Sequence, residues 1–317
     1  MSNNFGGTTI GMYATVDALM GGPADGGPPP VAATPRKERR GWAWLGLIPF
    51  LAFLVIFLLL PTLGVFDKAT LTAGGQRTFK PLGDTIRKES KAFWNSVELS
   101  VISALVGTVI GAMLAYAAAT AKRPKWLRTL VTAFSGVAAN MGGVVLAFMF
   151  ISLIGRQGLA TKMMKWAGWD LYSGTFDLYK VPGLVTVYTY FQIPLMFLVT
   201  LPAIDGLKES WREASSNLGG TAWTYWRRVG LPVLTPSLLG GFLLLFANAF
   251  SAFATAYALG TYQVVIVPTK ISANLQGDIA TRSPAPFALA TWMVLVMALT
   301  MGAYLVLRRR AERWRKA

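Results

Sequence analysis

The chain has 317 residues, of which 54% are hydrophobic and 14% charged, with 30 Lys+Arg against 14 Asp+Glu and neither His nor Cys. Soluble domains carry about 25% charged residues, so this balance points to a membrane protein and undercuts a two-domain soluble reading of the length. Without Cys there are no disulfides or thiolate metal sites. Without His there is neither the common neutral-pH base nor a Ser-His-Asp arrangement.

Taken in chain order, residues 1–35 are rich in Gly, Pro, Ala and Thr, with the run from Gly21 to Pro30 at their centre. Such a segment buries too little apolar surface to offset its ordering entropy, and a disordered tail is expected. Arg36, Lys37, Arg39 and Arg40 close it. A basic cluster before an apolar run also resembles a secretory signal. The run at 41–66 far exceeds a signal core of about 7–15 residues, however, and an uncleaved first span is expected.

Six uncharged stretches are long enough to cross a bilayer, which takes about 20 apolar residues. They are residues 41–66, 99–121, 129–155, 181–204, a long run at 229–269, and 283–307. The fifth is too long for one span; Pro232 and Pro236 near its start and the polar break at 260–263 place the helix at 237–259. Lipid leaves unpaired backbone groups without partners, so six helices are the economical reading. The alternation of a membrane β-barrel is missing.

An even number of spans puts both ends on one side. With the loops at 122–128 and 205–228 counted beside the two tails, 18 of the 30 basic residues fall on that side and 12 on the other. The rule that cytoplasmic loops are basic then places both termini in the cytoplasm. Basic tails also suit nucleic acid or anionic lipid. The charges sit at span ends, where topology accounts for them, so no nucleic-acid partner is expected. The organisation read from this pattern is a disordered tail with a basic end at 1–40, a first transmembrane helix at 41–66 and an extracytoplasmic loop at 67–93. A five-helix core follows at 94–307, including a cytoplasmic loop at 205–236, and then a basic cytoplasmic tail at 308–317.

No G-x-x-x-x-G-K-[ST] loop occurs, and no acidic cluster has a spacing suited to Mg²⁺ or Ca²⁺. The spans hold no ionisable residue except Glu98 at the start of the second, whereas ion-coupled transport uses intramembrane carboxylates. Any energy for transport should come from a partner. Uncharged polar groups do occur at depth. Asn140, Tyr188, Gln192, Asn248 and Ser251 are candidates to line a pathway, beside Tyr190 and Tyr257, although hydrogen bonding between helices is the better account of any single one. Gly107 and Gly111 form a small-xxx-small pair suited to close packing, and Pro194 and Pro202 are able to kink the fourth span.

The loop at 205–236 is not a casual connector. Lys208 to Leu218 has helix formers and mixed charge, Gly219-Gly220 supplies a stop, Thr221 suits an N-cap, and Pro232 is expected to end the second short helix. A cytoplasmic helical hairpin is the expected result. Trp211, Trp223, Tyr225 and Trp226 exceed what a solvated loop needs and mark a membrane interface or a protein contact.

Here the chain resembles the inner-membrane permeases of binding-protein-dependent ABC importers. Those permeases carry a cytoplasmic motif of E-A-A, three residues, G, nine residues and I-x-L-P. Glu213-Ala214-Ser215, Gly219 and Val229-Gly230-Leu231-Pro232 keep that spacing in full, with Ser215 for the second Ala and Val229 for Ile. The resemblance runs from about Trp94 to Leu307 and leaves the first 35 residues outside. Residues 250–259 look most like the polyamine, ferric-iron and phosphonate group.

The resemblance implies an all-α integral membrane fold of six helices, with a coupling hairpin between helices 4 and 5, in the bacterial cytoplasmic membrane. It implies a transport subunit rather than an enzyme, forming half of a pathway for a small polar solute of polyamine, phosphonate or metal type. Its partners would be a second permease chain, identical or homologous, two ATPase subunits and an extracytoplasmic solute-binding protein. ATP and Mg²⁺ would be held by the ATPase, with no cofactor in this chain. Glu213, Ala214, Ser215, Gly219, Val229, Leu231 and Pro232 would then couple the permease to the ATPase. A stand-alone channel or secondary transporter is the alternative, and a membrane-embedded enzyme finds no acid, His or metal set here. Arg77, Lys80, Arg87, Lys88 and Lys91 in the external loop tilt the solute toward an anion.

Overall fold

The computed structural model describes residues 47–71, 76–120, 125–260, 264–277 and 283–316. The tail expected at 1–35, its basic end, and the break at 261–263 lie outside the described residues. The chain divides into two compact units, residues 1–55 and 56–317. The described part of the first is one helical segment, α1 (Ile48–Leu54), opened by Pro49 in its first turn, where a missing N–H costs nothing.

The second unit is helical throughout, with no strand among the described residues. Its elements are α2 (Leu60–Thr70), α3 (Lys80–Lys88), α4 (Ser90–Thr120), α5 (Lys125–Asn140), α6 (Gly143–Ile154), α7 (Leu159–Trp166) and α8 (Val181–Asp205). After these come α9 (Glu209–Asn217), α10 (Ala222–Tyr225), α11 (Leu231–Ser251), α12 (Ala254–Ala258), α13 (Val267–Gly277) and α14 (Ala285–Lys316). Six helical stretches are long and apolar enough to cross a membrane: Ile48–Thr70, Ser90–Thr120, Gly143–Trp166, Val181–Asp205, Ala222–Ser251 and Ala285–Arg309. The all-α, six-span architecture expected from the sequence is the one observed.

Helix α8 is the axle of the bundle and is more than half buried, while α14 is largely peripheral. The core is stacked along it. Near one end Leu99, Leu146, Leu184, Tyr188 and Ala256 pack together. Ala104, Met196 and Leu245 meet in the middle, and Ala115, Phe197, Leu201, Ile204 and Leu234 close the end that carries the 206–230 segment. Helix α4 lies against α8 along Gly107 and Gly111. A Cβ on Gly107 would sit 2.8 Å from Gln192 Cβ, and one on Gly111 would sit 2.6 Å from the Ile193 carbonyl oxygen. The small-xxx-small pair therefore brings two backbones together, which is how helices gain packing energy where lipid supplies no hydrophobic drive.

Two expected spans are drawn differently. The stretch at 129–155 is not one helix: α5 stops at Asn140 and α6 starts at Gly143, whose φ of +72° is a left-handed conformation that favours glycine. The fifth span was expected at 237–259 with Pro232 as a stop, but the helical path runs unbroken from Ala222 to Ser251. A π-helical turn at Trp226–Gly230 precedes Pro232, and the Leu231 N–H donates to the Trp226 carbonyl five residues back. This wide turn, placed just before Pro232, accommodates the donor that Pro232 lacks, so the helix passes it. It ends instead at Ala252, which is extended. The Tyr188 hydroxyl donates to the Ala252 carbonyl at 2.7 Å, and Thr255 Oγ1 accepts from the Gly143 N–H at 3.0 Å. The two breaks therefore face each other across the bundle.

Candidate functional site

The segment between α8 and α11 folds as the hairpin its local chemistry dictates. Helix α9 ends in a full C-terminal capping motif: the Gly219 N–H donates to Ser216 O at 2.9 Å and the Gly220 N–H to Ser215 O at 2.8 Å. Gly219 carries φ +77°. Thr221 then caps α10 by accepting from the Thr224 N–H at 3.3 Å.

The need for glycine differs along this turn. Beside Gly219 there is open space, so its requirement is conformational rather than steric. At Gly220 a Cβ would meet Ser215 Oγ at 2.7 Å, and at Gly230 one would meet the Trp226 ring at 2.7 Å. Gly220 and Gly230 are structural residues that the motif spacing alone did not single out.

Glu213 and Ala214 are exposed on α9, and Ser215 is half-buried against the turn. Glu213 makes no hydrogen bond or ion pair among the described residues. Val229 is half-buried, while Leu231 and Pro232 are exposed on the continuous helix. Pro232 therefore marks no junction; the wide turn before it does. The four aromatics divide into two pairs. Tyr225 is buried and Trp226 packs edge-on against Tyr116 of α4, with centroids 5.1 Å apart at 84°. Trp211 and Trp223 stay exposed, together with Leu218. A salt bridge between Arg128 at the start of α5 and Asp205 at the end of α8 ties the root of the hairpin to its neighbour. The partners are 77 residues apart, so local sequence carries no trace of it.

The candidate pathway residues also separate. Tyr188 and Gln192 are buried, and both make bonds between elements: Tyr188 to Ala252 O, and Gln192 Nε2 to Ser103 Oγ at 2.7 Å. Gln192 Oε1 stays buried without a partner among the described residues. Asn140 and Asn248 are exposed, the first donating to Gly136 O at 2.8 Å. Ser251 is half-buried and donates to Asn248 O at 3.1 Å. Asn140, Ser251 and the Tyr188 hydroxyl thus lie at or beside the two facing breaks, whereas Gln192 belongs to the α4–α8 contact.

At the far end of α6 a lobe at 155–180 is held by its own polar contacts. Arg156 pairs with Asp177 at 3.0 Å, and the Tyr172 hydroxyl donates to Ile154 O at 2.7 Å. Burial works to raise the Asp177 carboxyl, but the Tyr179 N–H and the Arg156 guanidinium outweigh it and hold the group below its ordinary value. Burial and the nearby Asp177 charge push the Tyr172 hydroxyl up. No cluster of acids suited to a metal ion occurs among the described residues.

Residues 107–313 match the family of binding-protein-dependent transport system inner membrane components. The chain belongs to that family. This permease is 27% identical over 248 residues to the sulfate transport system permease protein CysW of Synechococcus elongatus, covering 77% of this chain and 78% of the relative. It is 25% identical over 262 residues to the spermidine/putrescine transport system permease protein PotB of Haemophilus influenzae, covering 80% and 89%. A probable ABC transporter permease, y4fN of Sinorhizobium fredii, is 28% identical over 227 residues, but that match spans 70% of this chain and only 38% of the longer relative. Among solved structures, a chain of the bacterial alginate ABC transporter in complex with an alginate-bound periplasmic protein shares the fold. Its TM-score is 0.65 at 19% identity, covering 85% of the permease and 93% of that chain. The family consists of transport components rather than enzymes, and the permease is a multi-pass inner-membrane protein. Its hairpin and both helix breaks lie within the matched residues.

Proposed function

We propose that this ABC importer permease supplies half of a translocation pathway for a small polar solute and couples it to a separate ATPase through the hairpin at 205–236. The observation that carries the reading is the hairpin itself. It has a capped turn, a Glu213 without an ion pair among the described residues, and exposed Leu218 and Trp223 beside it, all rooted in the bundle by Trp226 and the Arg128–Asp205 bridge. Exposed aromatics on a preorganised element are the usual anchors of a protein contact. Ala214 and Ser215 keep the surface low enough to enter a groove, and the Glu213 carboxylate suits basic or backbone donors of a partner.

In this reading the ATPase pair holds ATP and Mg²⁺, and a second permease chain, identical or homologous, completes the pathway. An extracytoplasmic binding protein delivers the solute, and both termini lie in the cytoplasm. The facing breaks at 141–142 and 252–253, with Asn140, Ser251 and Asn248 nearby, line the pathway. Irregular backbone at membrane depth is tolerated where it is enclosed in protein or borders a water-filled cavity. Relatives named for sulfate, spermidine/putrescine and thiamine transport resemble this chain in sequence, so the family resemblance alone does not select the solute. A polyamine-, phosphonate- or metal-type solute is the proposed range.

The test is co-purification of the tagged chain from its host in mild detergent, beside a Gly219→Val variant of equal abundance. A β-branched residue is a true outlier at φ +77°. An ATPase that accompanies the native chain and is lost with the variant supports the coupling role. No ATPase with either form would favour a stand-alone channel or secondary transporter.

A further inference from the structure

The lobe after α6 takes no part in the hairpin or in the facing helix breaks. Helix α7 begins only four residues beyond α6, through a turn in which the Gly158 N–H donates to the Gly155 carbonyl at 2.8 Å. A Cβ on Gly155 would lie 2.3 Å from the Ile151 carbonyl oxygen, and one on Gly158 would lie 2.5 Å from the Leu153 carbonyl oxygen. The turn is therefore folded tightly onto the end of α6. Counted with α5, α6 completes the length of a crossing at Ile154, and a helix that leaves it through so short a turn starts at the edge of the bilayer.

Leu159, Met163 and Trp166 recur at i, i+4 and i+7, which places them in one stripe. They are 65%, 63% and 92% exposed, and Trp169 just beyond is 78% exposed. Thr161, on the opposite side of the helix, is 5% exposed. The stripe thus points away from the body of the protein while the other face is seated on it. Lys162 is exposed beside the stripe, whereas Lys165, four residues after Thr161, shares that residue's side and faces Asp170 across a surface cleft. The remainder of the lobe cannot swing over to cover the stripe, because Arg156–Asp177 and the bond from Tyr172 to Ile154 hold it in place.

We propose that α7 is an interfacial helix, with Leu159, Met163, Trp166 and Trp169 set into the boundary between headgroups and acyl chains and Lys162 reaching lipid phosphates. Three features favour lipid as the occupant. The stripe continues from a helix whose Val145, Phe148 and Leu153 are already exposed apolar side chains of a membrane span. Tryptophan is the residue most at home at that depth, with its ring in the apolar layer and its N–H in the wet one. A lysine beside such a stripe, here Lys162, places its stem along it and its charge at the phosphates. This proposal rests on the membrane fold and not on the coupling role of the hairpin, so either can fail alone.

The chain has no Cys, so a single introduced cysteine is a unique label site. Nitroxide labels on Met163→Cys, Trp166→Cys, Lys162→Cys and Lys165→Cys would be compared in the full chain, reconstituted in phosphatidylcholine and phosphatidylglycerol bilayers. All four positions are exposed, so the substitutions leave the packing untouched. Collision with oxygen, which partitions into lipid, should exceed collision with a water-soluble nickel chelate several-fold at 163 and 166, with the reverse at 162 and 165. Equal nickel access at all four would put the stripe in water and overturn the proposal. Labels at 163 and 166 screened from both reagents would also overturn it, because a protein surface, a second copy or a binding protein, would then cover the stripe.

Discussion

Gly111 gives the sharpest numerical test of how α4 and α8 are held together. A Cβ at this position would lie 2.6 Å from both the Ile193 carbonyl oxygen and Met196 Cβ, where ordinary contact starts at 3.4 Å. The shortfall is about 0.8 Å. Neither neighbour is the tip of a flexible side chain, so Gly111→Ala has to push the helices apart. Parting by that distance takes Gln192 Nε2 from 2.7 Å to about 3.5 Å from Ser103 Oγ, beyond hydrogen-bonding range. The other amide atom of Gln192 is already without a partner, so the buried side chain loses its remaining bond.

Overpacking costs about 1–3 kcal/mol, and an interhelical hydrogen bond in a membrane protein is worth about 0.6 kcal/mol. For a chain of this size the sum corresponds to a fall of about 2–5 °C in the unfolding midpoint. The assay is the monodisperse fraction that survives heating in one detergent, followed by size-exclusion fluorescence. Gly302→Ala on α14 is the control, because no atom lies within 4 Å of its added Cβ and alanine is the better helix former. A Gly111→Ala midpoint within about 1 °C of the Gly302→Ala midpoint would refute the close-packing argument.

The bridge between Arg128 and Asp205 has both side chains 41% exposed, so each single reversal, Arg128→Asp or Asp205→Arg, should cost no more than about 1 kcal/mol. The double reversal should recover that loss, and a double-mutant cycle with zero coupling would show the pair to be incidental. Asp177 gives a pH dependence. Its carboxyl is held below the ordinary 3.8 in the folded chain, so its contribution is complete above that value and is lost as pH falls through the lower folded one. Amide exchange across residues 170–180, corrected for intrinsic rates, should accelerate on acidification in that window while α8 stays protected. Asp177→Asn should flatten the response, and a native chain with no such acceleration would count against the assignment.

The hairpin was the most legible part of the chain because its determinants are local. Gly219-Gly220 and Thr221 act on neighbours within six residues, and their cap bonds follow from residue type. The fourth span was nearly as plain: an apolar run between Lys180 and Asp205 became Val181–Asp205. The end of the fifth span was not legible. Nothing near Ala252 breaks a helix, and the carbonyl left free where the chain turns is taken by a tyrosine 64 residues away. The Gly142-Gly143 break was visible as composition, yet the surrounding apolar residues read as one span.

The pathway residues show a different limit. In a soluble helix the polar face reveals which side is buried, but a helix apolar on every side has no such phase, and Asn140, Tyr188, Gln192 and Asn248 read alike along the chain. Helix α4 is the informative exception. Ser96, Ser100, Ser103, Gly107 and Gly111 recur at three- and four-residue steps, and all five are buried. Small residues mark the packed face in lipid much as apolar ones do in water. Helix α8 has too few small residues to be phased in that way. Its polar side chains acquire their roles only from the partners on the neighbouring helices, Ser103 for Gln192 and Ala252 for Tyr188. The exposed Asn140 and Asn248 have no such partner on another element among the described residues. That is the physical reason to seek the pathway on their side of the bundle rather than in the buried polar contacts.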